Sequence, residues 1–182
     1  MHGPTPDDAA LLAAARDGDL DAFEGLVRAH TGEVYAHALR FFGDGPAAED
    51  VAQEVWIKVY RSLATFDERA RFTTWLYRVT RNTCLDAVRA GKHRPVPTEL
   101  ADSTPAPGNL ADDVVLTTAV EAAMKTLMPE DREAFSAVAL FGLSYAEAAS
   151  QLHVPAGTVK SRVFRARRSL AHALGLSVTG GA

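Results

Sequence analysis

Residues Leu143–Arg168, LSYAEAASQLHVPAGTVKSRVFRARR, constrain this chain more than any other stretch, because they specify two short helices joined by a tight turn. Ser144 followed by Glu147 is a capping box, which predicts a helix beginning at Tyr145. Ala146, Ala148 and Ala149 keep that helix thin, so a second helix can cross it closely. His153, Val154 and Pro155 break it, and Pro155 suits the first turn of the next helix, where its missing N–H is not needed. At about 100° per residue, Val159, Val163, Ala166 and Leu170 share one arc of that second helix. Lys160, Ser161, Phe164, Arg165 and Arg168 share the opposite arc. A solvated face would account for the basic residues alone. Yet the span Gly157–His172 carries Lys160, Arg162, Arg165, Arg167 and Arg168 and no acid, so no i,i+4 pairing within the helix offsets the charge. Phe164 on the polar arc gains nothing in water but can pack against a thymine methyl. The pattern predicts a helix-turn-helix that reads DNA.

Charge distribution adds a condition. The 182 residues have a formal net charge of −4, unusual for a protein that holds DNA unaided. Acids gather before residue 55, whereas Arg and Lys gather at 69–94 and 160–168. An acidic whole with basic faces implies weak DNA binding alone and strong binding within a larger complex. Cys84 is the only cysteine, so an intrachain disulfide is excluded and no zinc motif is present. His30 and His37 lie seven apart on one helix, which fits core or surface positions better than a metal site. No signal peptide is legible, and no apolar run approaches the roughly 18 residues of a membrane span. The sequence therefore predicts a soluble, cytoplasmic protein without membrane insertion, cofactor or metal. No phosphate loop, nucleophile elbow or metal motif points to an enzyme or a small-molecule substrate.

Strand signals are nearly absent, and the expected fold class is all-α, with two small helical domains joined by a flexible acidic linker. In the first domain, residues 1–95, Asp7 or Asp8 caps a helix ending before Gly18. Asp21 opens a long helix closed by Gly43, and Gly45 with Pro46 starts a third running to about Leu63. A polar loop, 65–71, leads to a fourth helix from Thr73 to Arg89. Residues 96–113 are the linker: Pro97, Pro105, Pro107 and Gly108 deny it regular structure, and its charges are all acidic. The second domain, residues 114–182, opens with an apolar helical stripe of Val120, Ala123, Met124 and Leu127. Met128 and Pro129 break that stripe. A helix from Glu130 to Leu140 follows, with Glu130, Asp131 and Glu133 in its first turn, where acids suit the dipole.

Two further faces stand out. On the third helix Val51, Val55, Val59 and Leu63 form the expected buried stripe, while Asp50, Gln53, Glu54 and Ile57 occupy another arc. An exposed isoleucine beside carboxylates is a modest interface signal, although a solvated acidic face fits the spacing equally well. On the fourth helix Leu76, Thr80, Cys84 and Ala87 face inward. Arg78, Arg81, Asn82, Leu85 and Arg89 share the outward arc, where arginines can meet phosphates and Asn82 a base. A solvated basic face again fits as well.

Taken in order, these blocks resemble a known family, the two-domain extracytoplasmic-function sigma factors of bacterial RNA polymerase. The residues that carry the resemblance are AEDVAQEVW at 48–56, FTTWLYRV at 72–79 and RNTCLD at 81–86. In the second half they are LMPEDRE at 127–133, GLSYAEAA at 142–149 and GTVKSR at 157–162. The likeness spans nearly the whole chain; the linker and both termini match nothing in particular. It implies that a sigma region 2-like domain precedes a sigma region 4-like helix-turn-helix domain. It implies that Asp50, Gln53, Glu54 and Ile57 dock on core RNA polymerase. It further implies that the fourth helix, through Arg78, Arg81, Asn82 and Arg89, opens and reads the −10 promoter element. A flipped base would sit against the preceding loop at Phe66, Asp67, Arg69, Arg71 and Phe72, at roughly a few kcal/mol of unstacking. The −35 element would be read by Lys160, Ser161, Phe164, Arg165 and Arg168, with Arg162 on the backbone.

On this reading the chain is an alternative, stress- or envelope-responsive initiation subunit. Its partners are core RNA polymerase, promoter DNA and an anti-sigma factor. The rival is a helix-turn-helix regulator that binds an operator without polymerase. That rival explains residues 143–170 but leaves Asp50, Gln53, Glu54 and the fourth-helix arc without a purpose.

Overall fold

The computed structural model describes residues 6–67, 69–93, 123–124 and 126–175. Among them are seven α-helices and no strand: α1 Pro6–Arg16, α2 Leu20–Phe42, α3 Gly45–Ser62, α4 Phe72–Arg89, α5 Pro129–Ala139, α6 Tyr145–Leu152 and α7 Ala156–Ala173. The all-α expectation holds. The expected linker and the domain boundaries on either side of it lie outside the described residues, as does most of the stripe that begins at Val114.

Local chemistry sets the helix ends. The Asp19 carboxylate accepts from the backbone N–H groups of Asp21 and Ala22 at 2.9 and 3.1 Å and so caps α2. Asp21, expected to open that helix, lies inside its first turn. Gly43, at φ 68°, closes α2 in the left-handed region that glycine adopts without strain. Asp44 then caps α3 through Ala47 N–H at 3.1 Å, with Pro46 in the first turn. The expected cap of α1 needs correcting as well: α1 starts at Pro6, and Asp8 is buried inside it, 3.2 Å from His30 on α2.

The four N-terminal helices form a bundle around fully buried Leu26, Val34, Val51, Val55, Val59, Leu76 and Tyr77. The stripe expected for α3 is present, Leu63 included. Two threonines are tolerated inside the bundle because each satisfies its own hydroxyl within α4. Thr80 Oγ1 donates to Leu76 O and Thr83 Oγ1 to Val79 O, both at 2.8 Å. Burial also pushes the Cys84 thiol up to about 12, so little of it is thiolate at neutral pH.

The helices α5–α7 form a second unit that does not stand apart. Ala134, Ala137, Phe141, Leu143, Ala148, Val159 and Val163 belong to the same continuous apolar cluster as the first bundle. Phe141 lies 5.3 Å from the Tyr77 ring and 5.9 Å from the His37 ring. Behind α7 a smaller cluster joins Ala123, Met124, Leu127, Ala166 and Leu170.

His37 is fully enclosed at this junction, and its two ring nitrogens find no hydrogen-bond partner among the described residues. Burial, then the charges of Arg40 and Arg81, lower its pKa from 6.5 to about 3. The unfolded chain therefore takes up a proton near pH 6.5 that the folded chain refuses until about pH 3. Stability is lost as pH falls through that window and is unaffected above it. Between pH 7 and pH 5 this group removes about 2 kcal/mol. His37→Leu should abolish that share of the acid sensitivity. Denaturant titrations of both proteins at the two pH values measure it, and an unchanged difference between them would refute the assignment.

Candidate nucleic-acid interface

The helix-turn-helix forms as its sequence demands. Ser144 Oγ accepts from Glu147 N–H at 3.2 Å, while Ser144 N–H donates to Glu147 Oε2 at 2.8 Å, completing the capping box of α6. His153 terminates α6 at φ 55°, a left-handed residue held by its N–H bond to Ala149 O. Pro155 sits one position earlier than expected, as the residue before α7 rather than in its first turn. Val159, Val163, Ala166 and Leu170 are buried, which fixes the phase of α7. Lys160, Ser161, Phe164, Arg165 and Arg168 accordingly face solvent, and Arg162 is half-buried. Phe164 is 64% exposed in the middle of this basic arc, a position no core requirement explains.

One member of the arc is restrained. Arg165 donates through Nε and Nη2 to the two oxygens of Asp131 at 2.9 and 2.6 Å. Asp131 is buried, so it acts as an anchor for α7 and not merely as a charge at the start of α5. These bonds raise the Arg165 pKa. No pairing within α7 supplies a counter-charge, as expected; this one comes from another helix.

The α4 face diverges further from expectation. Arg78, Asn82 and Arg89 are exposed, with Arg89 beside Asp86 at 3.4 Å. Arg81 is not on the open arc; its Nε is hydrogen-bonded to Glu133 of α5. In the loop, Arg69 chelates Asp67 with bonds of 2.8–3.1 Å, which lowers the Asp67 pKa and raises that of Arg69. Arg71 donates to Gly142 O at 3.0 Å and approaches Glu147 at 3.5 Å. Phe66 and Phe72 are corrected: both rings are buried and pack with Trp75 at 5.0 and 5.9 Å. They hold the loop onto the bundle and present no face on which a base could stack.

On α3, Asp50, Gln53 and Ile57 are exposed and Glu54 half-buried. All four line one groove of about 370 Å³ with Ala87, Lys92 and His93 from the end of α4 and beyond. Lys58 and Lys92 stand 3.2 and 3.6 Å from Glu54, so the acidic character of this face rests chiefly on Asp50. Its 51% exposed isoleucine remains uncovered.

The sequence offered no signal for Asp131, Glu133 or Glu147 as partners of Arg165, Arg81 and Arg71, because 34 to 76 residues separate the members. Glu147 is bound most heavily. Its burial works to raise its pKa, but bonds from Ser144 and Thr74 and the charge of Arg71 outweigh that and lower it.

Both halves of this geometry have counterparts among known proteins. The profile of sigma-70 region 2 matches residues 26–94, and that of sigma-70 region 4 matches residues 117–170. The ECF RNA polymerase sigma factor SigM of Mycobacterium tuberculosis is 38% identical over 173 residues, covering 95% of this chain and 87% of that protein. The chain belongs to the ECF sigma factors. The ECF sigma-E factor of Escherichia coli is 34% identical, over 90% of this chain and 92% of its own. The solved structure of CnrH, in complex with the cytosolic domain of CnrY, matches with a TM-score of 0.65 at 26% identity, covering 93% of this chain and 97% of that one. The region 2 match thus takes in α3 and α4, and the region 4 match the helix-turn-helix. No described helix of this sigma factor is long and apolar enough to cross a membrane.

Asp131 makes the exposed basic positions unequal. Arg165→Ala should lower the urea midpoint, because it strands a buried carboxylate. Lys160→Ala and Arg168→Ala should leave the midpoint in place. Equal midpoints for all three variants would mean that Asp131 does not anchor α7.

Proposed function

We propose that this chain is a dissociable promoter-recognition subunit that directs core RNA polymerase to particular promoters. The observation that carries the reading is the solvent-facing arc of α7, where Phe164 stands exposed among Lys160, Ser161 and Arg168. A basic arc draws in phosphate and an exposed aromatic supplies contact with a base edge. On this reading Lys160, Ser161, Phe164, Arg165 and Arg168 meet the −35 element and Arg162 its backbone. Arg78, Asn82 and Arg89, with Arg71 and Arg81 once freed, meet the −10 element. Asp67 and Arg69 remain at its edge.

The groove lined by Asp50, Gln53, Glu54 and Ile57 is proposed as the dock for core polymerase. Its presence favours a polymerase subunit over a free-standing operator-binding regulator, which has no use for such a face. An anti-sigma factor completes the partners, as the family resemblance implies. Nucleotide chemistry would belong to the polymerase.

Run-off transcription with purified core polymerase tests the reading directly: transcripts should start at discrete sites only when this chain is added. Asp50→Lys with Glu54→Lys should abolish co-purification with core polymerase while helix content by circular dichroism stays normal. Wild-type retention of that double variant would refute the dock. On α7, Phe164→Ala should reduce preference for a selected −35 duplex several-fold without moving the thermal midpoint, since the ring is not in the core. Arg168→Ala, if it meets phosphate, should weaken all duplexes alike and flatten the salt dependence by about one.

A further inference from the structure

Arg165 differs from the other cations of the α7 arc. Its Nε donates to Asp131 Oδ2 at 2.9 Å and its Nη2 to Asp131 Oδ1 at 2.6 Å, so a carboxylate fills the side-on fork of the guanidinium. Asp131 is 5% exposed, whereas 56% of the Arg165 side-chain surface remains open. The anchor is buried and what it holds is at the surface. A guanidinium carries five N–H donors in a rigid plane. With the Nε and one Nη2 hydrogen taken, the end-on fork of Nη1 and Nη2 is left, and it has no partner among the described residues. Lys160 and Arg168 are exposed on the same arc without any such restraint.

This geometry separates two kinds of DNA contact. A phosphate is drawn by net charge, and the charge of Arg165 is already met by Asp131, with Glu130 nearby. A base edge is neutral and answers to directed donors instead. Two parallel N–H groups match two adjacent acceptors, which in the major groove are O6 and N7 of guanine. Holding the side chain in place before contact also removes rotamer freedom that binding would otherwise have to remove.

We propose that Asp131 is a specificity-determining positioning residue, which aims the outer fork of Arg165 at one guanine of the −35 element and withholds that arginine from phosphates. A residue of α5 that touches no DNA thereby selects what α7 reads. This role rests on the −35 reading of α7 proposed above.

Holoenzyme assembled from core polymerase and the full-length chain, incubated with a promoter library randomised across the −35 element, provides the test. Sequencing of the bound fraction should show guanine preferred at one position by the wild-type protein. Asp131→Asn is isosteric and keeps a single acceptor. It should lower that discrimination about tenfold, or about 1.4 kcal/mol, and leave the other positions unchanged. Asp131→Glu keeps the charge but displaces the carboxylate by one methylene, and should weaken the same position. Asp131→Asn should also steepen the salt dependence of mixed-sequence duplex binding by about one, because the released cation reaches a phosphate. Glu24→Gln, an equal charge change at an exposed site on α2, should alter neither readout. In an Arg165→Ala background, Asp131→Asn should leave the base profile as it is.

A profile unchanged by both Asp131 variants overturns the proposal. So does a loss spread evenly over all −35 positions, which would make Asp131 an element of stability alone. Guanine preference that survives Arg165→Ala overturns it as well. Absence of any enriched −35 sequence with wild-type holoenzyme is a different result: it refutes the −35 reading of α7, and this role falls with it.

Discussion

Phe141 and Leu143, just beyond the end of α5, lie in an apolar cluster shared with the first unit, where Phe141 meets His37 of α2 and Tyr77 of α4. Enclosing a ring of this size contributes about 2–3 kcal/mol. Apolar contact of that kind is non-directional, however, and tolerates several relative orientations. Register comes from the polar rim, where Arg71, Thr74 and Arg81 meet Gly142, Glu147 and Glu133. The α7 arc points outward because its opposite side is spent on the core, whereas the α4 arc is partly consumed by the contact.

The junction also encloses a titratable group, His37. His37 sits between Tyr77, Phe41 and Phe141 without a polar partner among the described residues, held neutral by burial and by nearby arginines. Nothing in the adjacent rings can stabilise an imidazolium enough to offset its desolvation. A neutral histidine there functions as a flat, polarisable core side chain; the spacing in the sequence left core and surface equally open for it.

Much of the candidate interface is legible in the amino-acid sequence alone. The capping box at Ser144, the break at Pro155 and the inward stripe of α7 follow from local chemistry and a helical period, and each is present. Asp50, Gln53, Glu54 and Ile57 share an arc by their spacing and line one groove in space, because four positions on a single helix need no tertiary information to be neighbours. The loop is less legible. The resemblance places Phe66 and Phe72 against a flipped base, but their rings turn back onto Trp75, and hydropathy along a loop carries no period to reveal that direction. The cap of α2 is displaced by two residues for a smaller reason: two aspartates, Asp19 and Asp21, can both satisfy N-terminal amides, and only backbone geometry selects one.

The sequence by itself determined the helical class, the helix-turn-helix, the phase of α3 and α7 and the family to which the chain is similar. These depend on residues within about two turns of one another, where composition and spacing suffice. Only the tertiary structure decided which basic residues are available. Arg81 and Arg165 look alike along the chain as members of outward arcs, yet each is paired with a carboxylate 52 or 34 residues distant. The Arg81 pairing depends on how the two helical units pack, and the Arg165 pairing on how α5 and α7 pack within one unit; neither follows from any pattern within the helices themselves.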